Sequence, residues 1–100
     1  MGVLAMLELD GDPAEPLAAS AEIDRRLSAP EGLLIRIAAP TDGGMVLFQL
    51  WENAEARQRN ADDPAHASAL EASGMKRLAS GMRSRVFNGA ELRHAVTAGG

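Results

Sequence analysis

Met45–Trp51, MVLFQLW, decides the fold. It is apolar at every position except Gln49, and it reads as a central strand. Met45, Leu47, Gln49 and Trp51 share one face, and Val46, Phe48 and Leu50 share the other. Thr41-Asp42-Gly43-Gly44 in front of it is a turn signal, and Leu33–Ala38 (LLIRIA) before the turn is a second apolar run. Two such runs joined by a Gly-rich turn predict a β-hairpin. Pro40 is expected to end the first of them. Asn53 behind Trp51 is placed to cap a helix over Ala54 to about Asn60.

Outward from this hairpin the pattern continues on both sides. Val3–Leu9 is apolar on both faces apart from Glu8, as in a strand covered on both sides. Asp12 suits an N-cap, Pro13 the first helical position, and Glu15 the third position of a capping box. The helix is expected from Pro13 to Leu27 or Ser28, with Pro16, Ala19, Ile23 and Leu27 as its apolar stripe and Leu17 on one shoulder. Arg25 and Arg26 in its last turn suit the helix dipole. On the other side, Asp62-Asp63-Pro64 breaks the second helix, because the residue before Pro resists the α conformation. A further helical segment starts at Pro64, with Asp63 as its cap and Ala67, Leu70, Gly74 and Leu78 as its apolar line. Gly74 is expected to weaken it. Arg83–Asn88 begins a last strand that Glu91–Val96 is expected to continue, leaving Thr97–Gly100 as a loose tail.

The order β-α-β-β-α-β is that of an α+β ferredoxin-like domain over residues 1–96. Right-handed crossovers put both helices on one face of a four-stranded antiparallel sheet. The other face is then bare and apolar, and a second copy of the same sheet is its simplest cover. A homodimer is therefore expected.

Composition narrows the function. One hundred residues suffice for one domain with a modest core. The formal net charge is −4 with no basic cluster, which argues against a nucleic-acid partner. There is no cysteine, so thiolate metal sites and disulfides are excluded. No apolar run approaches the roughly 20 residues of a membrane span. Met1–Leu9 lacks a basic start and is followed by acid, so no signal peptide and a cytoplasmic location are expected. Arginine supplies nine of the ten basic residues beside Lys76, and alanine is abundant, which suggests a GC-rich bacterial genome and nothing about function. The two histidines lie far apart, without HxxxH or HxH spacing, so no metal site is expected. No phosphate-cradling loop or nucleophile elbow occurs.

The stretch Leu47–Ala56, LFQLWENAEA, resembles the dimeric α/β-barrel superfamily, in particular the small antibiotic-biosynthesis-monooxygenase-like proteins. In that family a strand ends in Trp-Glu and leads through a polar residue into a short Glu-Ala helix. A pocket-facing His, a turn containing Pro and a second His follow. Pro64 and His66 match the turn and the second His with about one residue of shift; Asn60 stands at the first His position, and Arg57 where an apolar residue is usual. The resemblance implies a pocket between sheet and helices in each subunit, and activities that include cofactor-independent oxygenation of polycyclic aromatics. Haem degradation is not expected, because Val3–Leu9 has no Asn and the second helix has no Trp. No cofactor is expected.

Six residues form the candidate site. Trp51 is expected at the pocket, within reach of His66 or Asn60, either stacking on an aromatic ligand or capping the core with its indole donor satisfied locally. His66 is a base or donor, or else a solvated helix-start residue. Arg57 and Asn60, one turn apart, form a polar patch for a carboxylate or phenolate if their helix face turns inward. Asp24, with Ser20, completes the patch from the first helix or pairs with a neighbouring Arg. Gln49 hydrogen-bonds a ligand or a backbone group of the partner chain. Two functions follow. One is a small-molecule enzyme of the cofactor-independent monooxygenase type, with His66, Asn60 and Arg57 catalytic and Trp51, Gln49 and Asp24 binding an aromatic or apolar substrate. The other is a non-catalytic binding or structural dimer. An open cavity of roughly 300 Å³ or more separates the first from a filled interior.

Overall fold

The structure is a computed structural model that describes residues 1–94. Its elements in order are β1 (Gly2–Asp10), α1 (Ala14–Arg26), β2 (Leu33–Thr41), β3 (Gly44–Trp51), α2 (Ala54–Asp62), α3 (Pro64–Ser73), α4 (Met75–Leu78), a 3-10 turn over Ala79–Gly81, and β4 (Arg83–Ala90). The sheet order is β2-β3-β1-β4, with every neighbouring pair antiparallel. This is the ferredoxin-like arrangement. The two runs that read as apolar on both faces, β1 and β3, are its two central strands.

Local chemistry explains most boundaries. Asp12 Oδ1 accepts the Ala14 N–H at 2.9 Å, so Asp12 caps α1 with Pro13 already in helical conformation. The expected capping box does not form, because the Glu15 carboxylate pairs instead with Arg77 of α4. Asn53 Oδ1 accepts from Ala56 N at 2.8 Å and starts α2; Asp63 Oδ1 accepts from Ala65 N at 2.9 Å and starts α3. Gly74, at φ 84°, ends α3 in the left-handed conformation that glycine adopts without strain. The second helix of the pattern is therefore three pieces, bent to follow the sheet.

Two boundaries differ from expectation. Pro40 does not end β2, which continues to Thr41 and pairs Pro40 with Met45. The strand lies at the sheet edge, where a residue lacking an N–H can leave that position unpaired on the outer side. Glu91–His94 do not extend β4, and Ala95–Gly100, where the rest of the expected strand and the tail fall, lie outside the described residues.

The helices cover one face of the sheet. Ala19 and Ile23 of α1, Leu9, Met45 and Leu47 of the central strands, Ala69 of α3 and Met75 of α4 form one buried cluster. Val3, Trp51 and Ala56 form a second at the other end of the sheet, with Leu33 packed on it. Gly32, at φ 85°, lets the start of β2 press on α2: a Cβ there would stand 2.4 Å from that of Ala56. The opposite face displays Leu4, Met6, Ile35, Ile37, Phe48, Leu50 and Phe87, with Ile37 and Phe87 exposed. Among the described residues no helix is long and apolar enough to cross a membrane.

Candidate functional site

Strand parity sends Arg36 and Gln49 to the helix side of the sheet. They are cross-strand partners on β2 and β3, so their side chains stand next to each other. Trp51, two residues after Gln49, lies on the same face and is 1% exposed. Its indole Nε1 donates to Gln49 Oε1 at 3.2 Å. Gln49 thus has its partner inside the subunit and faces away from the bare side of the sheet. Its parity corrects the expectation of a bond to a partner-chain backbone group across that side.

Above these strands is a cavity of about 670 Å³ between the sheet and the helices. Leu7, Leu47, Ile23, Leu70 and Met75 supply much of its apolar wall. Trp51, Gln49, Asp24, Arg57, Asn60 and His66 all line it, so the six residues singled out in the sequence meet around one space. Arg57 and Asn60 are half-buried, while Arg59 on the other side of α2 is exposed. Ala56, on the same helix, is buried close against the chain at Gly32. His94, in the segment after β4, is exposed and is not among the lining residues.

Arg36, the only charge in LLIRIA, also lines the cavity, although the sequence alone assigned it no role in the site. Its Nη1 lies 3.0 Å from Asp24 Oδ1, and its Nη2 donates to Ser20 Oγ at 3.2 Å. Its Nε is buried and has no hydrogen-bond partner among the described residues. The available signal was a lone charge in LLIRIA at a position that alternation turns toward the helices. Asp24 therefore adopts its second expected role, pairing with an Arg at the core's edge.

His66 is half-buried at the start of α3. Burial holds its pKa below the ordinary imidazole value; the positive charge of Arg36 pushes the same way, and Asp63 opposes both. The ring is consequently biased to its neutral form, able to accept a proton near neutral pH. Among the described residues no group of three or more His, Cys, Asp or Glu is arranged to hold a metal ion.

No family model and no curated protein matches the chain. Solved structures do. A candidate antibiotic biosynthesis monooxygenase from Chloroflexus aurantiacus superposes with a TM-score of 0.73 at 12% identity, over 94% of this chain and 98% of that one. SnoaB, a cofactor-independent oxygenase from Streptomyces nogalater, gives 0.64 at 16% identity over 91% and 93%. A dimeric ferredoxin-like protein of unknown function from Jannaschia sp. CCS1 gives 0.68 at 14% identity over 88% and 99%. The structural neighbours of this chain are thus antibiotic-biosynthesis-monooxygenase-like and dimeric ferredoxin-like proteins, and at these identities the likeness is one of fold.

Proposed function

We propose that this protein is a homodimeric, cofactor-independent oxygenase acting on an aromatic or otherwise apolar small molecule bound between sheet and helices. The observation that carries this reading is the 670 Å³ cavity, apolar over most of its wall, on which Arg57, Asn60 and His66 converge. In the reaction envisaged, an activated ring CH2 and one O2 give a ring carbonyl and water, so the substrate supplies all the electrons. Neutral His66 takes the first proton. Arg57 and Asn60 hold the oxygen on which the resulting negative charge gathers. Trp51 and Gln49 form the floor under the ring. The bare apolar face of the sheet meets a second copy of itself.

An oxygen electrode tests this with anthrone, a tricyclic compound carrying such a CH2. The protein should speed oxygen uptake above the spontaneous rate, and His66→Gln should remove most of the gain. Binding of anthrone with no added uptake would leave the second reading, a non-catalytic binding module. That reading is favoured by the Trp51–Gln49 pair, which already satisfies the indole donor without a ligand.

A further inference from the structure

The cavity wall is mostly apolar, and its fully charged side chains are Arg36, Arg57 and Asp24. Two cations face one carboxylate, and His66 is biased to its neutral form. Arg36 is about four-fifths buried, with 20% of its side chain exposed, whereas Asp24 is 57% exposed. A guanidinium has five N–H donors. Asp24 and Ser20 engage one nitrogen each, and Nε stays buried without a partner. Buried donors are normally satisfied, so the unpaired Nε is unused donor capacity on a residue that lines the cavity.

A purely structural Arg36 would tie α1 to β2 through Asp24 and Ser20 alone. That role leaves the Nε donor unused. A planar two-oxygen group matches the guanidinium fork, and the exposed Asp24 side chain can turn to water as such a group arrives.

We propose that Arg36 is a binding residue that anchors the carboxylate of the ligand, so that the cavity selects apolar, aromatic monocarboxylates over neutral analogues of the same shape. This rests on the reading of the cavity as a small-molecule site and deepens it. Arg57 adds to the attraction from the far wall, but Arg36 supplies the paired hydrogen bonds.

The probes are 2-naphthoate and its neutral isostere 2-naphthamide, measured at pH 7.5 by calorimetry and by quenching of Trp51 emission. Naphthoate should bind on the order of tenfold more tightly. In Arg36→Gln the preference should vanish while naphthamide binds as before. In Asp24→Asn, which removes the competing carboxylate, naphthoate should bind several-fold more tightly. Equal binding of the two compounds to the unmodified protein overturns the proposal and leaves the cavity reading intact. So does a preference that survives in Arg36→Gln or is lost in Arg57→Gln instead. If neither compound binds, the proposal falls together with the cavity reading. Circular dichroism establishes that each variant is folded. Should Arg36→Gln not fold, Asp24→Asn decides, and unchanged or weaker naphthoate binding overturns the proposal.

Discussion

The Trp51 indole N–H donates to the Gln49 amide oxygen at 3.2 Å, across two residues on one face of β3. Replacing Gln49 with Leu keeps the apolar surroundings but leaves a fully buried N–H unpaired. The expected loss of stability is about 1–3 kcal/mol. In a Trp51→Phe background the same change should cost much less, because no donor remains. Urea unfolding of the four proteins in this cycle measures the coupling; equal costs in both backgrounds would mean that the pair contributes nothing.

Trp51 is also the centre of the second core cluster, with Val3, Ala56 and Leu33 around it. Trp51→Ala should therefore cost about 3–5 kcal/mol, the range for a large buried aromatic. A much smaller cost would mean that the ring chiefly lines open space. As the one tryptophan in the chain, it also reports on the cavity by emission. A large loss of stability with no quenching by any aromatic compound would leave Trp51 a core residue and remove it from the ligand site.

Gly32 lies at the close approach between the start of β2 and α2. Its φ of 85° disfavours any other residue, and an added Cβ would meet the Ala56 Cβ at 2.4 Å. Gly32→Ala should destabilise the protein by roughly 2–4 kcal/mol, from left-handed backbone strain plus overpacking. Adding Ala56→Gly should recover the overpacking share and leave the strain. Thermal melts of the single and double variants separate the two.

These positions show what was legible beforehand. The central strands β1 and β3 declared themselves because they are apolar on both faces and so lack alternation. The starts of α2 and α3 were readable because Asn53 and Asp63 act on N–H groups only two or three residues away. The end of β2 was not readable, since tolerance of Pro40 depends on the strand's place at the sheet edge. Glu15 had a local role available and took a distant one with Arg77. Arg36 stood out as the only charge of its strand but had no legible role for the same reason: its partners Ser20 and Asp24 sit on another element, and parity along the strand gives its side but not its partners.

His66 makes stability depend on pH in a definite direction. Its pKa in the folded state is depressed, chiefly by burial and then by Arg36. The unfolded chain, with an imidazole near the usual value of about 6.5, binds the proton more readily. Its contribution to stability is therefore complete above about pH 6.5 and is lost as pH falls from there through the lower folded-state value. His66→Gln should flatten this part of the stability curve between pH 7 and pH 5. The ring's NMR titration midpoint should lie below 6.5 and rise in Arg36→Gln. A midpoint that ignores Arg36 would remove that residue from the account of His66.

The bare face of the sheet supplies the last prediction. Ile37 of β2 pairs with Phe48 of β3, and Ile37 is 51% exposed and Phe87 of β4 is 43% exposed. Leu4, Met6 and Leu50 fill the space between them. A monomer would leave Ile37 and Phe87 in water, and exposed apolar patches on a sheet face are characteristic of association sites. A two-fold partner meets the same surface with the same surface, so each apolar residue is buried in both copies. Light scattering at micromolar concentration should return twice 10.5 kDa. Because folding and association are then linked, the melting temperature should rise with protein concentration. Phe48→Glu places a charge at the centre of the face and should halve the scattering mass, or precipitate the protein, without reaching the cavity on the other side. A stable monomer of the unmodified chain, with a melting temperature independent of concentration, would show that the apolar face has no second copy to cover it.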